Sequence, residues 1–174
     1  FTRSGGELKM MQLWVNLPAK DKMTTPGYQS ITADVIPQAT LEDDAGTVRV
    51  IAGRYGDVAG PAHTFSPLNV WDMQLKQSHD VTLHQPEGWS TALVVLEGEV
   101  TVNGTENARE GQLVVLSQKG EAFHLEAGSD AKVLLMAGEP LQEPIVGYGP
   151  FVMNTKTQIA EAIRDFNSGR FGQI

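Results

Sequence analysis

The 174-residue chain contains no cysteine, so neither a disulfide framework nor thiol chemistry is open to it, which fits a reducing compartment. It carries no run of about 18 apolar residues, the length a membrane-spanning helix needs. With no signal-peptide pattern at its start, the chain is expected in the cytoplasm. Cations are scarce: 13 Lys and Arg stand against 21 Asp and Glu, for a net charge of −8. The basic residues are scattered and not clustered as phosphate binding requires, so direct nucleic-acid binding is excluded. The glycine-rich stretch from Gly53 to Pro61 lacks the strand-to-helix context of a phosphate loop. Glu42, Asp43 and Asp44 lack EF-hand spacing and read as a solvated turn.

What the sequence does have is concentrated in residues 84–126. Two apolar runs, Ala92 to Leu96 and Leu113 to Leu116, are read as buried strands, each beside a glycine turn and a shorter alternating run. Glu97-Gly98-Glu99 interrupts the first hairpin. Asn103-Gly104 tolerates positive φ at both centres of a type I′ turn and ends a strand over Val100 to Val102. Thr105 to Glu110 is polar and reads as a turn, and Gly120-Glu121 reverses the chain into Ala122 to Ala127.

This order of strands and turns resembles the two-motif core of a cupin, an all-β jelly-roll barrel. In cupins the first motif supplies two histidines ahead of the LEG turn, and the second motif another ligand. Here His84 falls at the first histidine position, Pro86 at the second and Ser90 at the acidic one, while His124 follows Gly111 by thirteen residues and Glu126 lies two further on. His124 and Glu126 share one face of a strand. Two readings follow. With His84 they make a three-ligand site of the two-histidine, one-carboxylate kind that suits Fe(II); otherwise Phe123 and Leu125 point inward and the His/Glu face is solvated. The missing His-x-His pair favours the second. His63 and His79 receive no role.

Elsewhere, Met11, Leu13, Val15 and Leu17 alternate with Gln12, Trp14 and Asn16, which predicts a strand covered on both faces and closed by Pro18. Residues 19–30, turning at Pro26-Gly27, read as an interdomain linker. Ile31 to Ile36 and Thr47 to Ala52 are strand candidates. Asn69 to Leu75 alternates with Trp71, Met73 and Leu75 on the expected interior, and Lys132 to Gly138 is continuously apolar. Gly147 to Thr155 reads as an extended arm without periodicity. In the helix that follows, Thr155 and Gln158 form a capping-box pair, Ile159, Ile163 and Phe166 lie on one stripe, and Gly169 ends it.

The two ends resemble one family. QLWVNLPAKDKM (Gln12 to Met23) with PGYQ (Pro26 to Gln29), and AGEPLQEPIVGYGPFVMNT (Ala137 to Thr155) with its helix, are similar to the second half of a pirin. Pirins are bicupins whose N-terminal barrel binds a metal, generally iron, through three histidines and a glutamate that precede the QLWVNLP segment. The resemblance, together with a leading Phe1 in place of methionine, implies a chain without that metal-binding cupin. Residues 1–30 are then the strand and linker left from the first cupin, 31–140 the C-terminal cupin barrel, and 141–174 an arm and helix that dock on the absent domain.

For the parent protein the resemblance implies quercetin 2,3-dioxygenase-like activity. Iron or another divalent metal binds a flavonol beside dioxygen, and oxidative opening of the heterocycle releases carbon monoxide. This half is expected to shape and cover the catalytic barrel, with no catalytic, cofactor or metal residues of its own beyond the vestigial set His84, His124 and Glu126. The alternative is a protein-interaction module of a transcriptional or metabolic regulator. The expected partners are the N-terminal cupin domain, a second copy joined through the exposed ends, and a flavonol-like molecule for the parent, with no membrane.

Overall fold

The computed structural model describes residues 2–6 and 8–171. They form two compact units, Thr25–Gln142 on the one hand and the stretches up to Thr24 and from Glu143 to Phe171 on the other.

The unit Thr25–Gln142 is all-β. Its strands are β1 (Gln38–Thr40), β2 (Gly46–Ala52), β3 (Arg54–Tyr55), β4 (Val58–Ala59), β5 (Leu68–Leu75), β6 (Asp80–His84), β7 (Ser90–Glu97), β8 (Glu99–Val102), β9 (Glu106–Arg109), β10 (Leu113–Val115), β11 (Ala122–Ala127) and β12 (Ala131–Gly138). One antiparallel sheet runs β1-β2-β5-β12-β7-β10 and a second β6-β11-β8-β9. The inward faces of the two sheets share one core, the jelly-roll arrangement expected for the fold class.

Strict alternation sets which residues enter that core. Along β5, Trp71, Met73 and Leu75 point in; on β7, Leu93 and Val95; on β12, Val133 and Leu135. β12 runs through the middle of its sheet, Leu135 lying opposite Trp71 of β5 and Leu93 of β7. The turn at Asn103-Gly104 has φ of 50° and 67°, the positive pair that a type I′ hairpin requires.

Several expectations are corrected here. Ile31 to Ile36 is a turn, not a strand: the Val35 N–H donates to the Thr32 carbonyl at 3.2 Å, and Pro37 follows. The Thr32 side chain also hydrogen-bonds the Asp34 carboxyl and holds it below its ordinary range. The polar stretch Thr105 to Glu110 contains β9, an edge strand needing only one inward residue, Ala108, because its outer face is held by polar pairs such as Thr101 Oγ1 to Asn107 Oδ1 at 2.8 Å. The apolar run Leu113 to Leu116 is not buried throughout. β10 is the edge of the larger sheet, so Leu113 and Val115 face outward, 59% and 72% exposed.

In the other unit the alternating segment Met11 to Leu17 forms no strand, and Trp14 is 70% exposed. Alternation becomes a strand only where a neighbouring backbone accepts its ladder, and none does so here among the described residues. Gly147 to Thr155 is more regular than an arm: β13 (Val146–Tyr148) and β14 (Phe151–Met153) pair as a hairpin. The Glu143 carboxylate accepts from the Ala19 N–H at 2.7 Å and from Asn154 Nδ2 at 3.1 Å, tying the two stretches of this unit together. Helix α1 (Lys156–Asn167) opens on the predicted capping box, with Gln158 N–H donating to Thr155 Oγ1 and Gln158 Oε1 accepting from the Thr155 N–H. Ile159 and Ala162 are its buried residues, while Phe166 meets Phe151 and Phe171 edge to face. Among the described residues no helix is long and apolar enough to cross a membrane.

Candidate functional site

Parity along two paired strands decides what the barrel offers chemically. β6 and β11 run antiparallel, with His84 opposite Ala122 and His124 opposite Thr82. Because Val81 and Leu83 of β6 and Phe123 and Leu125 of β11 are buried, the alternate residues Asp80, Thr82, His84, His124 and Glu126 lie on the outward face. There His124 Nδ1 is 3.3 Å from Thr82 Oγ1, and Nε2 is 3.5 Å from Asp80 Oδ2. His84, His124 and Glu126 thus share the outward face of the sheet, away from the core. Among the described residues no group of three or more His, Cys, Asp and Glu side chains is placed to hold a metal ion. His79 Nδ1 approaches the Gln77 carbonyl at 3.0 Å, and His63 packs edge to face on Phe65.

The inward series of β6 continues one residue past the strand. After Val81 and Leu83 comes Gln85, whose N–H donates to the Glu121 carbonyl at 3.0 Å and whose side chain is buried, 6% exposed. It lines a cavity of about 80 Å³ at this end of the barrel, together with Trp89, Thr91, Leu116, Lys119 and Phe123. The cavity lies where the β6–β7 and β10–β11 loops meet. These loops are pinned to each other by the Gly88 N–H to the Gln118 carbonyl at 2.9 Å and by Gln118 Nε2 to Ser90 Oγ at 2.9 Å. A larger groove of about 420 Å³ at the opposite end of β7, near Glu97, Asp130 and Lys132, is shallow and open.

A chain of hydrogen bonds fixes the orientation of Gln85. The Arg54 backbone N–H donates to Asn69 at 3.0 Å, so the receiving atom is Oδ1. Asn69 Nδ2 therefore faces Gln85 at 2.8 Å and requires Oε1 there. Gln85 Nε2 is left as a buried donor with no hydrogen-bond partner among the described residues. Gly53 makes the arrangement possible: its φ is +76°, and a Cβ there would collide with Asn69 Oδ1.

The polar side chains lining the barrel mouth are the amides of Gln85 and Asn103, the hydroxyls of Thr91 and Ser117, Lys119 and a single carboxylate, Glu121, with no imidazole among them. Iron(II) centres take imidazoles and carboxylates, so these residues do not fit the metal that the sequence resemblance implies, and no catalytic step is assigned to them. Gln85 was missed in the sequence because it sits between His84 and Pro86, which drew attention as ligand positions. The period-two series Val81, Leu83, Gln85 was the signal that could have found it.

Comparison with known proteins agrees with this geometry. The profile of the pirin C-terminal cupin domain matches residues 70–172. A candidate quercetin 2,3-dioxygenase of Pseudomonas aeruginosa is 51% identical over 171 residues, covering 98% of this chain and 59% of its own length. Mouse pirin is 36% identical over 168 residues, covering 93% of this chain and 57% of its own length. The crystal structure of quercetin 2,3-dioxygenase from Acinetobacter baumannii superposes with a TM-score of 0.87 at 53% identity, over 92% of this chain and 56% of that one. The chain thus spans less than two thirds of the length of these relatives. By this match, an all-β cupin barrel and a helical C-terminal segment included, the chain belongs to the pirin family.

Proposed function

We propose that this chain is the C-terminal cupin half of a pirin-like protein whose metal-dependent, quercetin 2,3-dioxygenase-like chemistry belongs to a second, N-terminal cupin. The observation that carries the reading is the barrel interior: Gln85, Thr91 and Phe123 stand at its mouth, and the histidines of β6 and β11 do not face it. The relatives named for quercetin dioxygenase extend well beyond the part matched here. In the parent, the iron or other divalent metal would supply the binding and activation of flavonol and dioxygen. This half contributes a rigid support and cover, which positions a reacting pair without touching it.

The test compares the whole protein with this chain alone, following quercetin loss by absorbance and metal content by mass spectrometry. Turnover with about one metal per whole chain, and neither with this chain, is expected. Turnover by this chain alone, or metal bound to it and lost in His124→Ala, would overturn the reading.

A second reading, a protein-interaction module, is favoured by one observation: Leu8, Met10, Trp14 and Val15 are all more than half exposed. A protein partner captured tightly by the whole protein, with no flavonol turnover, would support it.

A further inference from the structure

We propose that Asn103 is a site of spontaneous covalent modification, at which the Gly104 backbone nitrogen displaces the side-chain amide as ammonia and water then leaves aspartate and isoaspartate at the rim of the barrel mouth. Of the six asparagines in the chain, Asn103 is the one followed by glycine. It stands at the exposed tip of the β8–β9 hairpin. Three features of this turn favour the reaction. The Thr105 N–H closes the turn on the Val102 carbonyl at 3.1 Å, so the Gly104 N–H is not spent on that bond. Apart from its chain neighbours, no atom lies within 4 Å of the point where a Cβ of residue 104 would stand, so the nitrogen is unshielded. The third feature is the orientation of the Asn103 amide. The His124 backbone N–H donates to it at 2.9 Å, which requires Oδ1 there and turns the leaving group, Nδ2, away from that strand.

As the Gly104 nitrogen attacks Asn103 Cγ, negative charge gathers on Oδ1, where the His124 N–H already donates. A donor set in advance on the atom that becomes the oxyanion lowers the barrier. The N–Cγ bond forms, the Cγ–Nδ2 bond breaks, and the Gly104 proton leaves with ammonia by way of solvent. Water then opens the cyclic imide at either carbonyl, with no change of oxidation state. Asn103 lines the same cavity as Gln85, Lys119 and Glu121, so either product adds a carboxylate to its rim. Aspartate keeps an oxygen for the His124 N–H. Isoaspartate carries the main chain through the former side chain, so one more carbon enters the turn between the paired residues Val102 and Glu106. That displaces the Asn103 N–H from the His124 carbonyl, which it now meets at 2.9 Å. The change runs one way and is set by time, so the barrel mouth of an old chain differs from that of a new one.

The experiment incubates the folded full chain at neutral pH and physiological temperature, and follows each asparagine by peptide mapping with electron-transfer fragmentation, which separates aspartate from isoaspartate. Asn16, Asn69, Asn107, Asn154 and Asn167 serve as internal references. Loss of the Asn103 amide is expected at least roughly tenfold faster than at any of these, and within roughly tenfold of its own rate in the chain unfolded by urea. Gly104→Asp puts a residue that tolerates positive φ in the turn and shields the nitrogen with a Cβ, so the loss slows by roughly tenfold or more while the hairpin keeps its amide signals. As isoaspartate accumulates, the His124 amide exchanges with solvent faster and the Leu135 amide does not. A folded rate more than roughly tenfold below the urea rate would show that the turn protects the amide, and would overturn the proposal. So would undiminished loss in Gly104→Asp, or equal loss at the reference asparagines. None of these readouts depends on flavonol turnover, so the result stands apart from the fate of the dioxygenase reading.

Discussion

Gly53 and Asn69 show how a single backbone position reaches the site. With φ at +76° and a Cβ excluded by the Asn69 side chain, Gly53→Ala meets both strain and collision. It is expected to lower stability by about 1–3 kcal/mol in a denaturant titration and to move the Gln85 side-chain amide signal, which a remote loss of stability would not do. At the surface, Lys76 Nζ lies 2.6 Å from Asp44 Oδ2, and its hydrogen bond and charge hold the Asp44 carboxyl below its ordinary 3.8. A carboxyl depressed in the folded state stabilises above its unfolded value, and that contribution is lost as pH falls through the folded one. Lys76→Met should therefore melt slightly lower than the parent near about pH 6, and the two should converge by about pH 2. Residue identity alone made the acidic turn and the Asn103-Gly104 hairpin legible. It did not show that Gln85, and not His84, faces the interior, because that depends on which face of β6 the partner strands cover.

Elements whose signals are local came through from the sequence nearly intact. Thr155 and Gln158 bracket the first turn of α1 within four residues, and both hydrogen bonds of the box form. Thr155→Ala should destabilise that helix by about 1 kcal/mol, seen as faster amide exchange in its first turns with β12 unchanged. β5 and β12 were equally readable, being long, alternating or continuously apolar, and central. Leu135, fully buried between β5 and β7, should cost about 2–5 kcal/mol when cut to alanine, measured by chemical denaturation. Edge elements were not readable in this way. β9 is polar yet paired, β10 is apolar yet half outward, and Met11 to Leu17 alternates yet has no ladder. In each case the deciding fact is the presence or absence of a neighbour, which composition does not record.

For the whole molecule, the exposed apolar residues Leu8, Met10, Trp14 and Val15 exceed what isolated surface hydrophobes explain, since they fall within eight residues of one another. Self-association through this segment is expected, and the double substitution of Met10→Ser with Trp14→Ser should shift sedimentation velocity profiles toward monomer. If this chain is a monodisperse monomer at high concentration with or without those changes, the segment does not drive association. Periodicity, turn residues and terminal motifs run along the chain, and they were enough for the all-β class, the core strands, the capped helix and the pirin resemblance. Which residues the barrel encloses came from strand pairing, which turned the histidines of β6 and β11 outward and the Gln85 amide inward, because side-chain parity acquires a direction once a second sheet covers one face.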